Sequence, residues 1–216
     1  MTSTAMTLSI PQHLPLFPLN VVLFPDSLLP LHIFEDRYKT LVNECVTDES
    51  EFGINYFDSQ KIHSVGCSAR VKEILKRYDD GKMDIVVEGT RRYVLHKIID
   101  AKTVYQVGDV TYFDDEPQQQ NDAIRMRAIA LYNRLVQVAF RGSVQPIADG
   151  NLKPQLSFLL VQKSGLDLGQ RQHFLSLRSE NERMEILVKH LESVLPLVAG
   201  QKKIEAFVMN DGYLPR

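Results

Sequence analysis

The chain has 216 residues, enough for one large domain or two small ones, with 44% hydrophobic and 24% charged residues, as in an ordinary globular protein. A formal net charge of -2 and a pI near 6.3 exclude bulk electrostatic attraction to nucleic acid or an anionic membrane, leaving only local patches to consider. The start, MTSTAMTLSIPQH, lacks the basic onset, apolar core and cleavage site of a secretory signal. No apolar run approaches the roughly 20 residues needed to cross a bilayer, so a cytosolic chain with no membrane partner is expected.

After a flexible tail over residues 1–13, the stretch Leu14 to Tyr38, LPLFPLNVVLFPDSLLPLHIFEDRY, packs Pro15, Pro18, Pro25 and Pro30 among Leu, Val and Phe. Proline removes a donor and fixes φ, so this apolar stretch cannot be one helix. It reads as two extended runs, Leu16 to Phe24 and Leu28 to Ile33, separated by a turn at Pro25 to Ser27. Beyond Ile33 the spacing becomes helical: Phe34, Tyr38, Leu41, Val42 and Cys45 share a face, with Glu35 and Asp36 in the first turn where the helix dipole favours them.

TDES at 47–50 is a polar break, and Phe52 to Phe57 reads as a strand. Cys67, Ala69 and Val71 then alternate with Ser68, Arg70 and Lys72, Asp80-Gly81 supplies a hairpin turn, and Met83, Ile85 and Val87 alternate on the return. The alternation slips near Ile74 and Leu75, which implies a bulge or a strand buried on both faces. Gly89 is expected to interrupt this return before Arg91, Arg92 and Tyr93 begin a further strand to about Ile99, and another strand spans about Val104 to Phe113. Short strands in series with one helix among them imply a mainly antiparallel sheet curled into a barrel or sandwich.

The acidic, amide-rich DDEPQQQND at 114–122 marks a linker, and helices follow. Ile124, Ala128, Leu131, Leu135 and Val138 form one apolar stripe of a long helix. A loop at 142–154 precedes helical pieces at about Leu156 to Lys163, ended by Ser164-Gly165, and at about Leu168 to Leu177, capped by Asp167 with Gln170. The last helix begins at Ser179 with Glu182 as its capping-box partner, and Pro196 should kink or end it. The expected organisation is α+β: a β-rich subdomain over residues 14–117, a helical bundle over 118–200, and a tail at 201–216 holding a short helical stretch.

Catalytic motifs are absent. There is no GxxxxGKS/T, GxGxxG, GxSxG or HExxH, and His13, His32, His63, His96, His173 and His190 are dispersed, so no enzyme activity, metal or cofactor is expected. Cys45 and Cys67 read as buried free thiols, and the lack of CxxC excludes a zinc knuckle. Arg127, Arg134 and Arg141 recur every seven residues, joined loosely by Arg125. They read as a solvated helix face or an anion-binding stripe, and Arg91-Arg92 as edge protection or a phosphate contact. The aromatics of the first half suffice for a core, and any part left exposed offers a patch for extended peptides.

The segments LPLFPLNVVLFPDSLLPLHIFEDRY, FGINYF, VGCSARVKEILKRYDDGKMDIVVEGTRRYVLHKI and YQVGDVTYF, in this order, resemble the N-terminal substrate-binding domain of the ATP-dependent Lon proteases, over about Leu14 to Val198. The resemblance implies a PUA-like β pseudo-barrel followed by a helical bundle, and a role in binding protein substrates or partners. It does not carry protease chemistry here, because the ATPase and Ser-Lys peptidase motifs are absent. Nor are there the paired cysteines of the zinc-bearing domain that accompanies this kind of domain in cereblon. The expected function is a non-catalytic module for unfolded or extended polypeptide or for a partner protein, a separate ATPase or protease subunit being one such partner, with Phe24, Pro25, Phe34 and Tyr38 as contacts. The alternative is a PUA-like RNA-binding module using Arg91, Arg92, Arg127 and Arg134, although nucleic acid is the less expected partner.

Overall fold

The computed structural model of the chain describes residues 12–140, 143–148 and 153–198. Its backbone divides after Asp114 into two compact units. The architecture is α+β, with all six strands in the first unit.

The first unit runs β1 (Gln12–Pro15), β2 (Leu28–Ile33), α1 (Asp36–Thr47), β3 (Phe52–Phe57), β4 (Ile62–Arg77), β5 (Met83–Ile99) and β6 (Val107–Tyr112). The antiparallel order is β1-β6-β5-β4-β3, with β2 added to the far half of β5. The chain leaving β1 then lies parallel to β3 through bridges Leu16↔Gly53 and Leu19↔Tyr56, so the pairing closes on itself as a barrel.

The extended run expected from Leu16 to Phe24 forms bridges at Leu16 and Leu19 and no continuous strand. Phe17 and Leu19 donate to the Gly53 and Asn55 carbonyls and Leu19 accepts from the Phe57 N–H, with Pro18 between them facing away from β3; Pro15 ends the ladder to β6, and no bridge to β3 follows Leu19. Val22, Leu23 and Phe24 are buried all the same, held by packing rather than by a ladder. β1 forms instead from Gln12 and His13 onward, residues expected in the tail. The earlier part of that tail and the helical stretch expected after residue 200 lie outside the described residues.

The hairpin of β4 and β5 turns through Asp80-Gly81, where Gly81 adopts φ 81° and its N–H meets the Tyr78 carbonyl. The register slips at Val71/Glu73 and again at Ile74/Lys76, the bulges that the broken alternation foretold. Gly89 does not interrupt β5, which continues to Ile99. A β-carbon there would lie 2.2 Å from the Phe24 carbonyl oxygen. Glycine is needed for this close approach: the Gly89 N–H bonds the Ser27 carbonyl, and the Asp26 N–H bonds the Gly89 carbonyl.

Two cores result. One lies inside the barrel around Leu14, Leu16, Tyr93 and Val110, where the Tyr93 hydroxyl donates to Asn55 Oδ1 at 2.5 Å. The other presses the α1 face of Tyr38, Leu41, Val42 and Cys45 against Ile33, Met83, Ile85 and Val87. Cys45 and Cys67 are free and buried.

The second unit comprises α2 (Asp122–Phe140), α3 (Leu156–Val161), α4 (Leu168–Ser176) and α5 (Glu180–Val198). The buried face of α2 is Ala128, Ile129, Tyr132, Leu135, Val136 and Ala139. This is rotated from the expected stripe, of which only Ala128 and Leu135 are fully buried. α4 carries the full capping box of Asp167 and Gln170, and the Glu182 N–H bonds Ser179 Oγ at 3.1 Å. α5 runs through Pro196 to Val198, with that proline on its exposed side.

Arg183 on α5 is fully buried and ties this unit together. Its Nη atoms donate to Asp115 Oδ1 at 2.7 Å, Asp115 Oδ2 at 2.5 Å, Glu180 Oε2 at 2.7 Å and the Leu177 carbonyl at 2.8 Å, while Nε donates to Ser157 Oγ at 2.8 Å.

Two predictions follow for urea unfolding followed by circular dichroism. Gly89→Ala should lose about 2 kcal/mol or more, because neither main chain can retreat from the new methyl. Arg183→Met should lose about 3–5 kcal/mol by leaving Glu180 and Asp115 without their counter-ion.

Candidate functional site

β2 is the edge of its part of the sheet: its register is with β5 alone. Since the Gly89 N–H bonds the Ser27 carbonyl, alternation turns the main chain of Leu29, Leu31 and Ile33 toward β5. The main chain of Leu28, Pro30 and His32 therefore faces the unpaired side. Pro30, which has no N–H to give, occupies a position where none is needed by the sheet. The edge offers two N–H groups and three carbonyls, a row fitted to an extended chain.

The side chains beside this edge are apolar and aromatic. Leu28 is 52% exposed, Pro30 is exposed, and Phe34, just beyond the strand, is 58% exposed with its ring stacked near His32 at 6.1 Å. His32 Nδ1 lies 2.6 Å from Asp84 Oδ1, and the Tyr78 hydroxyl donates to Asp84 Oδ2 at 2.7 Å. The hydrogen bonds from His32 and then Tyr78 hold the Asp84 carboxyl below its usual pKa. Lys76 lies over the Tyr78 ring at 4.3 Å. The result is an aromatic ledge of Phe34, His32 and Tyr78 anchored by one carboxylate.

The four expected contacts do not stand together on this surface. Phe24 is 1% exposed, Pro25 is buried, and Tyr38 is 7% exposed with its ring 4.0 Å from that of Phe17; these three hold the fold. Burial raises the Tyr38 pKa, with Arg37 opposing the shift from 4.5 Å above the ring. Phe34, expected on the buried face of the first helix, precedes the helix N-cap at Glu35 and points outward. Leu28, Pro30, His32 and Tyr78 went unselected by sequence reasoning. The one signal that could have found them is the even spacing of Leu28, Pro30 and His32, with a proline that marks which side of the strand stays unpaired.

The expected arginine set is divided between the two units. Arg91 is exposed and lies over the Tyr112 ring at 4.4 Å, whereas Arg92 is 2% exposed and lies against Phe113 at 4.6 Å. In the second unit, Arg127 Nε donates to Glu192 Oε1 at 2.9 Å and Arg134 is exposed. Arg125 is buried and donates to the Lys153 carbonyl at 2.8 Å, and Arg141 lies outside the described residues.

Among the described residues no three His, Cys, Asp or Glu side chains form a group that could hold a metal ion, and no helix is long and apolar enough to cross a membrane. The histidines instead make separate contacts, such as His63 with Asp58 at 2.9 Å and His190 with the Ser164 carbonyl at 2.9 Å.

A sequence profile of the ATP-dependent protease La (LON) substrate-binding domain matches residues 13–193. A Lon protease of Bacillus thuringiensis is 25% identical over 203 residues, covering 88% of this chain and 25% of the relative. Lon protease 1 of Hydrogenovibrio crunogenus is 22% identical, covering 88% and 24%. The chain thus spans about a quarter of the length of the curated relatives it matches. Among solved structures, a Lon N-terminal domain protein from Xanthomonas campestris superposes with a TM-score of 0.65 at 25% identity, covering 82% of this chain and 98% of that one. The N-terminal domain of a Mycobacterium avium complex Lon protease gives the same TM-score at 16% identity, covering 84% and 98%, a likeness of fold.

Burial separates the four aromatic and proline candidates by experiment. Phe34→Ala should change unfolding stability by no more than about 0.5 kcal/mol, whereas Phe24→Ala should cost about 3–5 kcal/mol in the same urea titration. For Asp84, a lowered folded-state pKa means that its contribution is present above the ordinary carboxylate range and is lost as pH falls. Its carboxyl resonance should titrate with a midpoint below about 3.9.

Proposed function

Since the chain belongs to the LON substrate-binding domain family, we propose that it is a non-catalytic module that captures unfolded or extended segments of other proteins along the β2 edge. The observation that carries this reading is the unpaired main chain of Leu28, Pro30 and His32 beside exposed Leu28 and Phe34. Main-chain groups bind any extended sequence, and an adjoining aromatic ledge adds apolar burial without demanding one side chain. Such a site suits a broad set of polypeptides in the cytoplasm, either alone or delivered to a separate ATPase or protease subunit.

The chemistry of the described residues supports a binding role over a catalytic one. Among the described residues no serine, threonine or cysteine hydrogen-bonds to the His32–Asp84–Tyr78 group, and its carboxylate is occupied by both neighbours. The RNA reading draws less support. It needs a basic surface, and of its four arginines Arg92 is buried and Arg127 is paired with Glu192.

Fluorescence anisotropy with a labelled, reduced and carboxymethylated polypeptide that cannot refold tests the proposal. The chain should bind it, Phe34→Ala should weaken binding about five- to tenfold, and Phe34→Trp should retain it. Absence of binding to unfolded polypeptide, or unchanged affinity in Phe34→Ala, would overturn the reading.

A further inference from the structure

A second unpaired strand edge lies on the opposite flank of the β4–β5 hairpin from β2. β3 ends at Phe52, opposite Ala69 of β4, but β4 runs on to Arg77. Along this run its register is with β5 alone, no main-chain bond among the described residues joins its other side to another strand, and Arg77 at its end donates to Asn43 Oδ1 of α1 at 3.0 Å. Since the Gly89 main chain bonds Asp26 and Ser27 on the β2 side, Glu88 turns toward β4 and its partner Arg70 toward β5, so alternation turns the main chain of Val71 away from β5. It faces a groove of about 460 Å³ whose far wall is the C-terminal end of α1.

The groove combines three features. Cys45, Val46, Val71 and Ile74 supply apolar lining, enough to receive one aliphatic side chain. β3 does not extend beyond Phe52, because the chain enters it from α1 by a turn through Glu49 at φ 51°. The third feature is charge. Glu49 and Glu73 line the groove and have no ion-pair partner among the described residues. Arg70 and Lys72, the lining cations, both engage Glu88, at 2.8 Å and 3.0 Å. The last turn of α1 carries no basic residue, so the negative end of its dipole is uncompensated beside Glu49.

We propose that this groove binds an extended polypeptide segment as an added strand on β4, selecting an aliphatic side chain flanked by lysine or arginine. The inference rests on the polypeptide-binding reading above and adds a separate site with a sequence preference. The bound segment continues the line of β3, exchanging main-chain hydrogen bonds with β4 around Val71. Its aliphatic side chain enters between Val46 and Ile74, and its basic side chains meet Glu49 and Glu73. A globular partner does not satisfy a lone strand edge set between a helix end and a hairpin, whereas one extended strand does. The β2 edge, rimmed by an aromatic ledge, has no such carboxylate pair facing outward, since Asp84 is taken up by His32 and Tyr78.

The test uses the labelled peptide Thr-Lys-Leu-Thr-Leu-Lys-Thr and its counterpart with glutamate in place of lysine, with amide NMR of the full chain as readout. Shifts should fall on Cys45 to Ser50 and Arg70 to Ile74 with the lysine peptide. The glutamate peptide should bind at least about fivefold more weakly at low salt. Glu49→Asn with Glu73→Gln should remove that preference, and asparagine tolerates the left-handed backbone at position 49. N-methylation of alternate peptide amides should abolish binding in one register and spare it in the other. If the lysine peptide binds but perturbs Leu28 to Phe34 instead, or binds no better than the glutamate peptide, the groove proposal fails and polypeptide capture at β2 stands. If neither peptide nor the unfolded polypeptide binds, both fail.

Discussion

At Gly89 two main chains meet with no side chain between them. The Phe24 carbonyl oxygen stands where a β-carbon would intrude, and the Asp26 and Gly89 N–H groups bond across the gap. Ser27 completes the joint from the other side, its hydroxyl donating to the Phe24 carbonyl at 2.6 Å and accepting from the Phe24 N–H at 3.1 Å. This contact fixes where the proline-broken opening stretch returns to the sheet. It thereby sets the register of β2, since Leu28 lies opposite Glu88 one step further on. Shifted by one residue, β2 would turn Ile33 out of the core and put Pro30 where the ladder needs a donor. The open edge and the outward Phe34 are consequences of the same joint.

The helical unit is held differently, by a charge that is completely enclosed. Burial works against the Arg183 guanidinium, and Asp115 and Glu180 outweigh it. Every direction of its donor fork has a partner, and its plane lies 4.3 Å above the Phe158 ring. Glu180 in turn accepts from the Ser157 N–H at 2.9 Å, so the start of α3, the end of α4, the first turn of α5 and the segment at Asp115 are joined through one side chain. A buried pair of this kind adds little net stability over a well-packed apolar set, but losing one member is costly. Its effect here is geometric, since the bidentate contact to Asp115 admits few other arrangements.

An unpaired strand edge is a template for aggregation. Both edges discussed above carry protective features: Pro30 on β2, and the bulges with Arg70, Lys72 and Glu73 on β4. These features make a regular, continuous sheet between copies unfavourable. Glu88, whose pKa is lowered by Arg70 and then by Lys72, pairs with both cations that line the groove.

Local chemistry was readable from the sequence wherever one turn or one helical repeat decides the outcome. The Asp80-Gly81 hairpin needs only a residue free to adopt positive φ, the Asp167–Gln170 box only its two side chains three residues apart, and the α1 face only the spacing of Tyr38, Leu41, Val42 and Cys45. The order of these pieces was also enough to identify the family and its α+β plan. Four outcomes depended on distant partners. Leu16 to Phe24 has strand composition but bridges β3 only at Leu16 and Leu19, its remaining apolar residues being held by packing. Gly89 looks like a break and is instead the approach point of another segment. The apolar stripe of α2 fits its helix, yet the neighbours it packs against rotate the buried face to Ile129, Tyr132 and Val136. Of Phe24, Pro25, Phe34 and Tyr38, similar in character on paper, only Phe34 reaches the surface. Sequence by itself determined which segments are apolar, where they turn and which family they compose, because those properties are set within a few residues. Which apolar residues are spent inside and which strand edges remain open was decided only by tertiary structure, because burial and pairing depend on segments tens of residues away.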